Sequence, residues 1–402
     1  MSEEIKENLK NPEETNTNEE SNTNEESNAS KADVKPKKSK ARKVLGYCGF
    51  IVGIVAVLFV ACMFLKMTEP VNVASLQGIY KEKNTLDVVV IGASEAYANY
   101  CAPLAYEEYG YTSYSYGVSG VPGSLYKSMV REVLDNQNPK LIVIEMNGLL
   151  QQDYYYDRQG NLHGYLDNIN YGDNRDEAIE YAVADKDKDD FKTINFLNVY
   201  HNSWKDSGKC IATLFTRIGM FLEPKSNLKG YSTRAKIASA DDLDITKSNH
   251  FTDKSRMIFD DLMTYCNERG LQNVLFVRFP HMNKDTEPEI AEELTNMANA
   301  HGYKFVDFSH SKEEAGIVPV YDYYNDEHFN ARGARKFTSY FGNYLVNNYD
   351  LKANYSDELK KSWEDSVAKT EEILTRAEQD IDKNLGRNYY ELSVYLPKWF
   401  KV

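Results

Sequence analysis

The spacing of apolar residues changes several times along this chain, and each change marks a new element. Residues 1–30 offer almost nothing to bury. They are polar and acid-rich and repeat Thr-Asn-Glu-Glu-Ser-Asn at 17–22 and 23–28, a composition expected to stay disordered. A basic run follows, made of Lys31, Lys35, Lys37, Lys38, Lys40, Arg42 and Lys43. Val44 to Leu65 is then apolar and uncharged for 22 residues, long enough to span a bilayer core of about 30 Å. Basic residues directly before such a segment predict a cytoplasmic N-terminus and an outer remainder. The segment is longer than the apolar region of a cleaved signal peptide. Val60-Ala61-Cys62 resembles a lipoprotein cleavage box only faintly, so an uncleaved anchor is expected.

Beyond the anchor, short apolar runs alternate with amphipathic stretches. Leu86 to Gly92, Leu141 to Met146, Asn273 to Arg278 and Lys304 to Phe308 read as buried parallel strands, with Ser113 to Tyr116 a shorter candidate. Helical spacing covers Gly123 to Leu134, Lys254 to Arg269 and Glu289 to His301. A last helix starts after Asn330, a good N-cap, with Phe337, Tyr340, Phe341, Tyr344 and Leu345 on one face. This alternation predicts an α/β domain with a parallel sheet covered on both sides. Residues 151 to about 250 are rich in Tyr, Asp and Asn and show no clear periodicity, so they read as an insertion over the carboxyl edge of the sheet. The expected organisation is a tail at 1–43, a transmembrane helix at 44–66, an outer domain at 67–350 and a polar extension at 351–402 with an exposed helix across 356–385.

Charge and cysteine content narrow the function classes. A formal net charge of −14 argues against a general nucleic-acid binder, which needs a basic face. Of five cysteines, Cys48 and Cys62 lie in the anchor. Cys101, Cys210 and Cys266 are widely spaced and allow one bridge at most, and there is no Cys-x-x-Cys pair to suggest zinc. The 30 tyrosines suit either half-buried strand and helix positions or a surface that meets sugars.

In a doubly wound sheet, ligands bind beyond the carboxyl ends of the strands, and four features fall there. Ser94 in Gly92-Ala-Ser-Glu95 would present its hydroxyl on a strand-to-helix turn. Gly120 in Tyr116-Gly-Val-Ser-Gly120 would let a backbone N–H approach an oxyanion. Asn147, after the strand ending near Glu145, offers a side-chain amide. His328 lies on the polar loop Asp322-Tyr-Tyr-Asn-Asp-Glu-His328, and His is the usual base for a Ser nucleophile. Each feature alone also fits an ordinary turn or surface loop.

In this order and placement the four blocks resemble the SGNH (GDSL-like) hydrolase superfamily over roughly residues 86–348. Gly92-Ala93-Ser94 matches the first block, Gly120 the second, Asn147 the third and Asn325-x-x-His328 the fourth. The anchor, Gly-x-Ser-Glu95 and His328-Phe-Asn-Ala-Arg-Gly-Ala334 are similar to the DltD/AlgX-like surface group, as is Tyr200-His-Asn-Ser-Trp204 within the insertion. The resemblance implies a three-layer, flavodoxin-like sheet and transfer or removal of acyl groups on a cell-envelope polysaccharide or teichoic-acid-like polymer, often beside a membrane-bound O-acyltransferase. It implies Ser94 as nucleophile and His328 as base. The N–H groups of Ser94 and Gly120, with the Asn147 amide, would form the oxyanion hole. No metal or organic cofactor is implied. Three positions depart from the pattern: Ala93 replaces a polar residue, Gly148 replaces an acid, and Asn325 stands where the family has the Asp that orients the His. In a Ser protease that last change costs about 10⁴ in rate. Asp322 and Asp326 are alternative acids. A non-catalytic scaffold or glycan-binding protein on the same fold is the competing expectation.

Overall fold

The computed structural model describes residues 40–193, 196–239, 241–242, 249–351 and 354–391. The acidic repeats, most of the basic run and the last eleven residues lie outside them. Residue contacts divide the chain into two compact units, one ending at Val55 and one starting at Ala56. The helix Lys40–Leu65 has 26 residues and a mean hydropathy of 2.9 in its most apolar window, so it is long and apolar enough to cross a membrane.

Five strands build the main sheet of the second unit: β1 Val88–Gly92, β2 Ser113–Gly117, β3 Leu141–Glu145, β5 Val274–Arg278 and β6 Lys304–Asp307. All pair in parallel, in the order β2-β1-β3-β5-β6. The chain reverses direction across the sheet between β1 and β3, and a crevice opens beyond the carboxyl ends of strands at such a switch point. The residues following both strands therefore meet there.

Alternation along each strand feeds two separate cores. Val89, Ile91, Ile142, Ile144 and Phe276 face one, with Met129, Val130 and Val133 of the helix Tyr126–Asn136 and Phe259 of the helix Asp253–Glu268. Val88, Val90, Val143, Leu275 and Val277 face the other, with Phe337, Phe341 and Leu345 of the helix Ala331–Asn348. The sheet is thus covered on both faces, as the strand and helix alternation predicts. Asn330 caps the last of these helices as expected, its Oδ1 accepting from the N–H groups of Arg332 and Gly333.

Two expectations need correction. The insertion contains helices, including Gln159–Leu166, Asp173–Ala182 and Ser207–Leu222. Part of it lies at the carboxyl edge, where Gln151 bonds Asn147. Leu162, Tyr165, Leu166 and Ile179 instead extend the first core. The helix Asp357–Asp382 is not an exposed appendage either. It buries Trp363, Ile373, Leu374, Ala377 and Ile381, with Ser366 and Thr370 in the same stripe. Those two hydroxyl residues dilute the apolar stripe and hide it from a pattern reading. Beyond this helix, β7 Arg387–Tyr389 pairs antiparallel with β4 Thr233–Ala235. Cys101, Cys210 and Cys266 are all free thiols.

Candidate active site

Gly92 ends β1, and the helix Ser94–Ala98 starts at once, so Ser94 stands partly exposed at the switch point. The loop after β2 reaches the same place. The Tyr97 side chain lies beside both Ser94 and Ser119. Gly120 follows with φ +63°, and a Cβ there would stand 3.0 Å from Nδ2 of Asn161. A side chain would therefore be strained twice over, by backbone and by contact.

The His328 loop is fixed to the Ser94 helix by a residue the sequence reading did not single out. Asn99, fully buried at the end of that helix, donates from Nδ2 to the Glu327 carbonyl at 3.4 Å. Its Oδ1 accepts the Phe329 N–H at 2.8 Å. One side chain thus grips the backbone on both sides of His328. Tyr323 and Phe329 form a bridge that closes the loop. Gly333 packs beneath it: a Cβ there would lie 2.2 Å from the Asp322 carbonyl oxygen and 2.8 Å from the Phe329 ring. Gly333→Ala is expected to cost about 1–3 kcal/mol, read as a lowered melting temperature of the full chain. An unchanged melt would mean the loop yields without cost.

Asn325 orients the imidazole. Its Oδ1 accepts the N–H groups of Glu327 at 3.1 Å and His328 at 2.9 Å, which identifies this atom as the oxygen of the amide. The same atom lies 2.9 Å from His328 Nδ1. An acceptor there puts the proton on Nδ1 and leaves Nε2 with its lone pair, the tautomer a general base needs. Tyr324 stacks on the ring at 5.1 Å with planes 3° apart. Asn325 therefore orients the ring but supplies no charge. Asp322 is committed elsewhere, its carboxylate accepting the Val318 N–H and pairing with Lys336 at 2.6 Å. The backbone carbonyl of Asp326 accepts the Met282 N–H.

Beneath Ser94 lies a closed, buried polar ring. Glu95 Oε1 accepts from the Asn147 amide and lies 3.1 Å from His281 Nε2. His281 Nδ1 lies 3.1 Å from an Arg278 nitrogen, and Arg278 pairs with Glu145 at 3.0 Å. Glu145 accepts the Asn147 N–H at 2.9 Å, which closes the ring, and the Phe279 N–H at 3.3 Å. Glu95, Glu145, Arg278 and His281 are fully buried. Asn147 thus directs an N–H to Glu95, while Gln151 holds its Oδ1 at 3.3 Å. The other carboxyl oxygen of Glu95 lies 3.5 Å from Ser94 Oγ. Burial, followed by the Glu145 and Glu327 carboxylates, pushes the Glu95 carboxyl well above its ordinary range. Burial also raises Glu145, against the pull of Arg278.

The structure therefore brings Ser94, Asn147, Asn325 and His328 to one edge, with Glu95 among them. Ligand-type atoms of Glu95, Glu327 and His328 lie within 4.8 Å of one another. That spacing would suit a cation as well as proton exchange. Hydrogen bonds already hold one Glu95 oxygen to Asn147 and one His328 nitrogen to Asn325, which leaves fewer atoms for a cation. A cleft of about 130 Å³ adjoins the site, lined by Glu69, Tyr97, Ser119, Arg234, Tyr324 and Asn388. A larger cavity of about 680 Å³ lies at Glu108, Tyr109 and residues 346–351. It lies at the C-terminal end of the helix Ala331–Asn348, and none of the candidate site residues lines it. Comparisons with protein-family models, with curated proteins and with solved structures return no match.

Proposed function

We propose that this protein is a membrane-anchored serine esterase or O-acyltransferase of the SGNH type. On this reading its outer domain acts on acyl groups of a cell-surface polysaccharide or teichoic-acid-like polymer. The observation that carries the reading is the Asn325–His328 pair, held by Asn99 against the helix that begins at Ser94. Ser94 Oγ attacks an ester or thioester carbonyl, and its proton passes to Nε2 of His328. The tetrahedral oxyanion collapses to an acyl-enzyme as the leaving group takes that proton. Water or a glycan hydroxyl then repeats the steps in reverse. The adjoining cleft, with its tyrosines, hydroxyls and one arginine, suits a polar acyl acceptor such as a sugar. The basic residues before the apolar helix support a cytoplasmic N-terminus. A membrane-bound O-acyltransferase is the kind of partner this reading implies.

Asn325 also supports a second reading, a glycan-binding or scaffold protein with a weakened triad. The two are separated by exposing the full chain, in detergent, to a fluorophosphonate probe and mapping the adduct by peptide mass spectrometry. Capture at Ser94, absent in Ser94→Ala, is the expected result. A folded chain that leaves Ser94 unmodified would point to the scaffold.

A further inference from the structure

The polar ring beneath Ser94 contains one proton more than a first count of its charges suggests. Arg278 is its only fixed cation. His281 presents Nδ1 to an arginine nitrogen, and an arginine can only donate. His281 is therefore neutral, with its proton on Nε2, and donates to Glu95. Two buried carboxyls, Glu95 and Glu145, thus share one positive charge. Glu145 has the stronger claim, since it pairs with Arg278 directly and accepts two backbone N–H groups. Glu95 is left without a cation of its own in a site with no solvent exposure, where an isolated carboxylate is costly. Its Oε1 already receives Asn147 and His281. The proton that neutralises it must then sit on Oε2, the oxygen that faces Ser94 Oγ at 3.5 Å.

We infer that Glu95, as the neutral acid, is the side-chain donor of the oxyanion hole, with Asn147 and His281 holding it in position. The inference rests on the acyl-transfer reading of Ser94. Asn147 was expected to donate to the oxyanion itself. Here the Glu95 carboxyl bridges the Asn147 amide and the Ser94 hydroxyl, so the donor next to the nucleophile is the carboxyl O–H. As Ser94 Oγ bonds to the carbonyl carbon, the C=O electron pair moves onto oxygen. Glu95 donates a hydrogen bond to that oxygen and keeps its proton throughout. The proton that moves is the one from Ser94, which travels by way of His328 to the leaving group. Buried carboxyls kept neutral can serve in this way.

The groups around Glu95 agree with this protonation. From β3 comes Glu145, from the end of β5 comes Arg278, and from the segment after it comes His281. From the loop before the last helix come Glu327, His328 and Tyr324. The phenols of Tyr97, Tyr126 and Tyr155 also lie near it. Negative neighbours outnumber the one fixed positive charge, and burial and those carboxylates raise Glu95. A raised acid keeps its proton to higher pH than a free carboxyl and loses it as pH rises through its folded value. Donation to the oxyanion should then fail on the alkaline side.

The test uses the full chain in detergent, hydrolysing p-nitrophenyl acetate from about pH 5 to about pH 10. Glu95→Ala is expected to lower kcat about 10²- to 10³-fold, the usual loss for one oxyanion donor. Glu95→Gln keeps an N–H donor on the Ser94 side, because Asn147 and His281 hold its oxygen on the other. It should recover to within about tenfold of wild type and lose the alkaline fall seen in wild type. Melting curves establish that each variant is folded. Glu95→Ala with wild-type kcat overturns the inference, and so does Glu95→Gln as slow as Glu95→Ala at every pH. Failure of the probe to capture Ser94 in the wild type overturns the acyl-transfer reading and this inference together. Capture that is normal, with hydrolysis indifferent to Glu95, overturns this inference alone.

Discussion

His328→Ala should slow both probe capture at Ser94 and ester hydrolysis by about 10⁴-fold, the upper range for loss of a general base. The geometry that supports this is the acceptor at Nδ1, Asn325 Oδ1, which leaves Nε2 as the base. Asn325→Asp should move the rate the other way, and only modestly. The large penalty known for the reverse change in a Ser protease comes chiefly from the wrong tautomer. Here the amide oxygen already faces Nδ1, held by two backbone N–H groups, so the tautomer is already correct. What the substitution adds is charge against the imidazolium that forms. The difference between a neutral and a charge-assisted hydrogen bond is about 1.4 kcal/mol, or about tenfold in rate. Pre-steady-state kinetics with the same ester would measure both. An Asn325→Asp enzyme faster by about 10⁴ would mean the amide had been misassigned. Equal rates for His328→Ala and wild type would remove His328 from the mechanism.

Arg278→Met should be the most damaging single change to stability. It leaves Glu145 buried with no cation, and breaking a fully buried pair costs about 3–5 kcal/mol. For a domain of this size that is a fall of roughly 4–7 °C in melting temperature. The double variant Arg278→Met with Glu145→Gln should recover part of the loss, because the uncompensated charge is gone. The pH dependence has a definite sign. Burial raises Glu145 above its ordinary value of 4.5, so the folded chain binds a proton there more readily than the unfolded chain. Stability from this group is fully present below about pH 4.5 and declines as pH rises through the folded value. Without Arg278 the rise is larger, so Arg278→Met should lose stability over a wider span of pH than wild type. Melting curves at several pH values would read this directly. A variant as stable as wild type at neutral pH would mean that solvent reaches Glu145.

The sheet was readable because its strands carry their signal locally. Val88–Gly92 and Leu141–Glu145 are near-continuous apolar runs, as strands buried on both faces must be. The helices of the insertion carry little local signal. Asp173–Ala182 buries only Arg175, Ala178 and Ile179, and its stability comes from the core it joins. The proposed nucleophile, base and orienting amide were legible as motif positions. The ring beneath them was not, since Glu145 and Arg278 belong to one strand end each and His281 to no motif. A signal did exist. Glu145 and Arg278 are charges that end otherwise apolar strands, at the edge where ligands bind, and a charge there needs a buried partner. Asn99 carried no such mark, because its role is defined only by the loop it meets 228 residues later.

The helix Asp357–Asp382 and β7 have a consequence for how the chain is made. The main sheet and the residues Ser94 to His328 of the candidate site precede them, yet the apolar face around Phe337 and Phe341 shares its core with Ile373, Leu374 and Ile381. A chain emerging from its N-terminus first would expose that face until nearly all of it had been synthesised, a state prone to aggregation. Maturation of the reaction centre is thereby tied to completion of the polypeptide. A fragment ending near residue 350, where the pattern of the sequence invites a cut, would carry every reacting group and lack the covering layer that keeps them in register.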